Sequence, residues 1–474
     1  MSNKHKSRMD RKLPQIERQN EENACWACLK RKRVCDGTLP HCKNCTKSKL
    51  KCPGFGVRFL WPTGVTRASK SKTGSPLPPS LSSLALPAED SLHMQHYLQN
   101  FARVALAIDY STNGYRSLLP MAMHEPVLMN ALLAVAASHH SRWQSTADNA
   151  SRQYRRTALL ALRDRFNHPE LVNSPATLAS MLALVTYEVF SGSSKWRGHH
   201  EAIRGWVRSR GDCSDLDPFL KAWVCLIDTQ CALNTGIEAM PELQLWMDDD
   251  ELLSGRQDSI DALFGCSSRL LKLMWEASQL YAASENRQGP TDEIRERAEQ
   301  LQEKIYSTRI LPDSDPPINI FCQQTGQVLS TTVDLNKEEL QRRMVATAEI
   351  FRHACHIYVY RLIHSPEQAL SDKMTDSLQS ALELLTKVPD ALGPGANLGW
   401  CLVVIGAELD QSYERDYIRT RWPHLSSLGI HNCENARKIL EEVWIQRDLF
   451  SHGQGSPRRW QHVMQDIGQT QILV

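Results

Sequence analysis

Six of the 14 cysteines in this 474-residue chain fall within residues 25–52, in CWACLKRKRVC (25–35) and HCKNCTKSKLKC (41–52). The frame Cys-x2-Cys-x6-Cys occurs twice, at Cys25, Cys28 and Cys35 and again at Cys42, Cys45 and Cys52. A segment this short cannot bury a self-sufficient apolar core, so its thiols must either cross-link it or hold metal. The N-terminus, MSNKHKSRMDRK, lacks the apolar core of a secretory signal. The chain therefore reads as intracellular, where thiols stay reduced and disulfides are disfavoured. Structural zinc takes four tetrahedral ligands and favours thiolate. Six thiolates cannot fill two separate four-ligand sites, but they do so when two of them bridge. The duplicated frame thus predicts two Zn2+ per chain, one wrapped by each half. A single four-cysteine ribbon would leave the repeated spacing unexplained. A metal store would not need the unbroken cation run Lys30-Arg31-Lys32-Arg33 between Cys28 and Cys35.

These residues resemble the fungal zinc binuclear-cluster transcription factors, whose pattern accommodates the full frame Cys-x2-Cys-x6-Cys-x6-Cys-x2-Cys-x6-Cys. Pro40, Asp36 and the tail CPGFGVRFLWP (52–62) also match choices common in that family. The resemblance implies that Cys25 and Cys42 bridge the two metals. It further implies a short helix running toward the basic run, which enters the major groove, where guanine N7 and O6 are paired acceptors. On this reading Lys32 makes the main base contact at a CGG-like half-site, with Arg31 beside it. Lys30 and Arg33 would serve phosphates or flanking bases. Lys43, Lys47, Lys49 and Lys51 are spaced apart in the second half, which suits phosphates that position the protein without reading sequence. The chain departs from the family at Leu29 and Val34, where many members carry cations.

Charge divides along the same line. Residues 1–74 carry 18 Lys or Arg against 5 Asp or Glu, whereas the remainder carries 37 against 48. A basic head on a mildly acidic body suits a polyanionic partner such as double-stranded DNA. Lys4, Lys6, Arg8, Arg11 and Lys12 lie in a basic arm (1–22) that would add nonspecific phosphate affinity or aid nuclear import, the alternative being a purely solvated tail. The cluster module is placed at 23–56 and a Pro/Ser-rich linker at 57–90; within the latter, 11 of the 25 residues at 66–90 are Pro, Gly or Ser. No sustained heptad follows the cysteines, so the sequence leaves open a monomer or a homodimer formed through the large domain.

Residues 91–474 read almost entirely as helix, an all-α array of roughly twelve or more elements. Ser174-Pro175 supplies an N-cap and first turn for SPATLASMLALVTYEVF, whose near-continuous apolarity predicts a buried helix. Asn336 and Glu339 form a capping-box-like start to another, in which Leu340, Met344, Ala348, Phe351, Cys355, Tyr358 and Leu362 share one face. The remaining cysteines, scattered through this region, read as buried thiols. Segments such as SLLPMAMHEPVLMNALLAVAASHH (117–140), WRGHHEAIRGWVRSRG (196–211) and RWQHVMQDIGQTQILV (459–474) resemble the second class of fungal-specific transcription factor regulatory domains. That resemblance implies regulation and contacts with the transcription machinery or co-regulators, with no catalytic role.

Enzyme readings fail on spacing. GPGANLG (393–399) is not a phosphate-binding glycine pattern and reads as a helix–helix loop. His139-His140 and His199-His200 are adjacent, whereas helical metal ligands sit at i and i+4. LWMDDDELL (245–253) mixes acidic and bulky apolar residues, as activation segments do, but an acidic inter-helix loop is the commoner source of such a pattern. The longest clean apolar run, ALLAVAA (131–137), falls far short of the ~20 residues of a membrane span. The expectation is a nuclear, sequence-specific regulator of RNA polymerase II genes. The alternatives are a co-regulator acting through protein contacts or, further off, a helical metal-binding protein or enzyme.

Overall fold

The computed structural model describes residues 27–28, 31, 33, 35–36, 38, 42–50 and 52 in the N-terminal part, then 86–473 except 108, 110–112, 212, 249–259, 312–336 and 389–393. The chain divides into two compact units, 1–78 and 79–474. In the first, the regular element is the short helix α1 (Lys43–Lys47), preceded by a single helical turn at Ala27 and Cys28.

The second unit is all helical among its described residues apart from isolated β-bridges, such as that between Ile260 and Ser267. It begins with α2 (Ala88–His96), which runs on into a π-helical turn at Tyr97–Phe101. The hairpin of α3 (Pro126–Trp143) and α4 (Ala150–Arg165) follows; α5 (Pro175–Phe190) packs against it and α6 (Trp196–Arg210) packs on α5. Then come α7 (Pro218–Thr235), α8 (Ser268–Asn286), α9 (Asp292–Ser307), α10 (Lys337–Ile363) and α11 (Asp372–Leu385), each packed on a sequence neighbour among them. The chain closes with α12 (Gly399–Gly406), α13 (Ser412–Ser427), α14 (Asn432–Ser451) and α15 (Trp460–Asp466).

Sequence signals account for the central elements. Ser174 Oγ accepts the Thr177 amide, Pro175 opens α5, and every residue from Ala176 to Phe190 is buried, as the unbroken apolarity requires. In α10 the periodic residues Met344, Ala348, Phe351, Cys355, Tyr358 and Leu362 are buried and Leu340 is half-buried. Asn336 lies outside the described residues; Glu339 pairs with Arg343 at 2.8 Å. The segment GPGANLG gives a 3-10 turn at Pro394–Asn397 and then the fully buried α12. Gly406 ends α12 where no side chain fits, since a Cβ there would lie 2.7 Å from Leu440 Cδ1 while its carbonyl accepts Trp444 Nε1 at 2.7 Å.

Two polar motifs brace this core. Arg361 and Glu408, both buried, pair at 2.7 and 3.0 Å, and Arg361 also donates to the Ser365 and Gln368 carbonyls. Burying such a pair is tolerable because the guanidinium spends its remaining donors on those carbonyls. The second is a relay of neutral histidines. The Leu428 carbonyl can only accept, so His139 Nε2–H donates to it at 2.8 Å. His139 Nδ1 then accepts from His96 Nε2–H at 2.7 Å, and His96 Nδ1 accepts from Asn100 Nδ2 at 3.2 Å. Gly429 (φ +83°) is required beside it, because a Cβ would stand 2.8 Å from the His139 ring. No helix of the described residues is long and apolar enough to cross a membrane.

Candidate metal centre and nucleic-acid interface

The described cysteines of the first unit converge on one point. Cys28, Cys35 and Cys42 form one group whose sulfurs all lie within 4.8 Å of one another, and Cys42, Cys45 and Cys52 form a second. Cys42 belongs to both. Cys28, Cys42 and Cys45 are wholly buried, Cys52 nearly so, and none of the five is in a disulfide. Cys25 lies outside the described residues, as do Lys30, Lys32, Lys51, Leu29, Val34 and Pro40.

The donor set fits zinc. A Zn–S bond of about 2.3 Å places two thiolates of one tetrahedron about 3.8 Å apart. Cys28 Sγ and Cys42 Sγ are 3.7 Å apart. Zinc would supply a cross-link here and no reactive chemistry, since thiolates close the site. The protein's share is to orient the sulfurs. Cys42 Sγ accepts the Cys45 amide at 3.3 Å and so serves as the N-cap of α1 as well as a ligand position. Asp36, noted in the sequence only as a family match, fastens the two halves. Its carboxylate accepts the Lys43 amide at 3.0 and 3.1 Å and the Thr38 hydroxyl at 3.0 Å. Desolvation would raise the Asp36 pKa, but those bonds and the Lys43 charge outweigh it and hold it below the usual value.

The two halves repeat in backbone as well as in cysteines. The Arg31 amide donates to the Ala27 carbonyl at 3.2 Å, as the Ser48 amide does to Asn44 at 3.2 Å. The Arg33 amide donates to Cys28 at 2.9 Å, as the Leu50 amide does to Cys45 at 2.9 Å. This equivalence sharpens the contrast seen in the sequence. Lys30 and Lys32 correspond to Lys47 and Lys49, so both halves carry those lysines. The halves differ where Arg31 meets Ser48 and Arg33 meets Leu50. Arg31, Arg33, Lys43, Lys47 and Lys49 are all exposed, as contacts to a polyanion require. Lys49 adopts φ +52°, turning the chain so that Cys52 returns to Cys42 and Cys45.

Outside this unit, the described residues bring no other three His, Cys, Asp or Glu donors within metal-holding distance. Burial pushes the thiols of Cys225, Cys266, Cys355 and Cys401 far up and that of Cys433 to about 12, so they are inert packing groups. Cys213 and Cys231 are buried too, and Cys322 lies outside the described residues. In LWMDDDELL the first four residues belong to a short helix, Leu243–Asp248, and not to a loop; Asp248 pairs with Lys272, and residues 249–253 lie outside the described residues.

A small cysteine-held module with exposed cations, followed by a large helical unit, has the form of a metal-held module that meets a polyanion. The "Fungal Zn(2)-Cys(6) binuclear cluster domain" profile matches residues 23–61, and the "Fungal specific transcription factor domain" profile matches residues 91–474. The chain belongs to this family of fungal transcription factors, a family of zinc-binding transcription regulators and not of enzymes. Among similar proteins, Arginine metabolism regulation protein II of Saccharomyces cerevisiae is 46% identical over 37 residues, 8% of this chain. Acriflavine sensitivity control protein acr-2 of Neurospora crassa is 24% identical over 75% of this chain, and Pestheic acid cluster transcriptional regulator 3 of Pestalotiopsis fici is 21% identical over 96%. The matches span 4% of the first relative's length, 62% of the second's and 98% of the third's. No solved structure matches the chain.

Proposed function

We propose that this protein is a nuclear, sequence-specific regulator of RNA polymerase II genes that reads CGG-like half-sites through its first cysteine half. Two Zn2+ would be held by Cys25, Cys28, Cys35, Cys42, Cys45 and Cys52, with Cys25 and Cys42 bridging. The observation that carries the reading is the repeated backbone frame bearing exposed arginines on one half alone. Cys42's membership of both sulfur groups supports its bridging role. Lys32 and Arg31 would contact base edges, Lys30 and Arg33 flanking bases or phosphates, and Lys43, Lys47, Lys49 and Lys51 phosphates. The helical unit would meet co-regulators and, if the protein dimerises, a second copy.

Base and phosphate contacts separate in one experiment, fluorescence anisotropy with CGG-containing and scrambled duplexes across a salt series. Lys32→Ala should weaken binding to the CGG duplex by about 10- to 100-fold and scrambled DNA far less. Arg31→Ser, which installs the second half's residue, should act in the same direction. Lys47→Ala should weaken both duplexes alike and lower the salt slope by about one. If Lys32→Ala leaves the ratio between duplexes unchanged, the proposed readout is wrong.

A further inference from the structure

Helix α4 is a basic exception on an acidic body. Residues 75–474 carry 37 Lys or Arg against 48 Asp or Glu, yet α4 alone holds five arginines and a single carboxylate, Asp164. Two of the five are spent inside the fold. Arg165 is buried and donates to Glu125 and Ser174 at 2.6 Å and to Thr177 at 2.9 Å, and Arg155 pairs with the buried Glu188 at 2.6 Å. The other three, Arg152, Arg156 and Arg163, are exposed, and none forms an ion pair with a described residue. At 3.6 residues per turn they fall in one stripe ~40° wide and about 16 Å long. Helix stability does not account for it. Arg152 stands in the first turn, at the positive end of the helix dipole, where an anion is favoured, and no acidic residue occupies that turn. Arg152 and Arg156 are one turn apart, a spacing at which like charges repel. Apolar side chains flank the stripe. Leu160 and Phe166, the latter just past the end of α4, are each 46% exposed. Both lie about 60° from the centre of the stripe, one on either side.

From this arrangement we infer that α4 is the docking face for an acidic segment of a protein partner, one in which Asp or Glu is interspersed with bulky apolar residues. Carboxylates offset the three arginines, and apolar side chains cover Leu160 and Phe166. Nucleic acid would supply the charge but would leave both apolar groups against a hydrated phosphate backbone, so it answers only half of the face. Asp164 lies about 100° round the helix from the stripe and does not oppose an acidic partner there. This docking role rests on the helical unit being the part that meets co-regulators, and it gives that contact a place and a chemistry.

The test is fluorescence anisotropy on the purified full chain with two labelled peptides of equal length and charge. In one, Asp and Glu are interspersed with Leu and Phe; in the other, Ser replaces each apolar residue. Unlabelled CGG-containing duplex is present at saturation, so that the cations of the cysteine module are occupied. The apolar-acidic peptide should bind about tenfold more tightly than its serine counterpart, the effect of covering two half-exposed apolar side chains. Arg152→Gln, Arg156→Gln and Arg163→Gln together should weaken both peptides about tenfold, as the loss of three exposed ion pairs requires. Glutamine is a good helix former, so this variant keeps α4. Leu160→Gln with Phe166→Gln should bring the ratio between the peptides to about one while the serine peptide still binds. The docking face is overturned if the parent does not distinguish the peptides, or if the triple variant binds both as the parent does. Binding of a labelled CGG duplex by the same proteins keeps the two readings apart. The triple variant should bind that duplex as the parent does; an equal loss of duplex and peptide would make the stripe a phosphate contact and overturn the docking face. A parent that binds the peptides as expected but does not prefer CGG would contradict the DNA readout and support the docking face.

Discussion

Replacing Cys42 with serine should strip the chain of both zinc ions. Cys42 stands in both sulfur groups, is wholly buried and caps α1 through its sulfur, so its loss touches both halves at once. Serine is a poor zinc ligand, and the free energy of structural zinc, roughly 10–16 kcal/mol per ion, is also the folding free energy of a module with no other core. Cys52 and Cys35 each belong to one group only. Serine there should weaken one ion and largely spare the other. Native mass spectrometry distinguishes the cases: two zinc ions for the parent, none for Cys42→Ser, and one retained for Cys52→Ser. DNA binding should disappear with the first variant. Equal zinc retention by Cys42→Ser and Cys52→Ser would refute the shared thiolate.

Acid should destabilise the helical unit well above the pH at which carboxylates titrate. Burial, reinforced by neighbouring His139, His140 and His93, lowers the His96 pKa to about 2. Burial, reinforced by Arg142, lowers that of His139 to about 3, despite its bond to the Leu428 carbonyl. A proton on either ring would point one N–H at another donor and break the relay. Both values lie below the ordinary 6.5, so below that pH the unfolded chain binds protons that the folded chain refuses. This contribution is therefore complete above pH 6.5 and is lost as pH falls. Between pH 7 and 5 the two residues together should remove about 4 kcal/mol from the unfolding free energy. His353 and His356, held near 4 mainly by burial, add to the same trend. His200 runs the other way. Burial lowers its pKa, but its bonds to Asp228 and Cys231 outweigh that and raise it to about 9. Its stabilisation is full below 6.5 and fades as pH rises through about 9, so it changes little in this window. Urea unfolding at pH 7 and 5 measures the effect, and His139→Gln should reduce it by about half of the pair's share. A flat profile between those values would contradict the relay.

Much of this molecule was legible because its strongest constraints are local. Cysteine spacing dictates a metal centre whatever the rest of the chain does, and Ser174-Pro175 followed by unbroken apolarity dictates a capped, buried helix. Other features depend on contacts between distant segments, which spacing does not report. His139-His140 was judged by its neighbours in sequence, yet its chemistry comes from His96, 43 residues earlier, and Leu428, 289 residues later. Asp36 lay between. The sequence offered it as a family match alone, and its partner, the Lys43 amide, is fixed only once the two halves meet.

The central claim is that the first cysteine half reads DNA sequence. The most direct measurement is selection from a random duplex pool by the zinc-loaded full chain, with a chelator-treated chain as control. A CGG-like triplet should be enriched by the loaded protein and by the chelated protein not at all. Recovery of DNA without sequence preference, or the same enrichment after zinc removal, would contradict the claim.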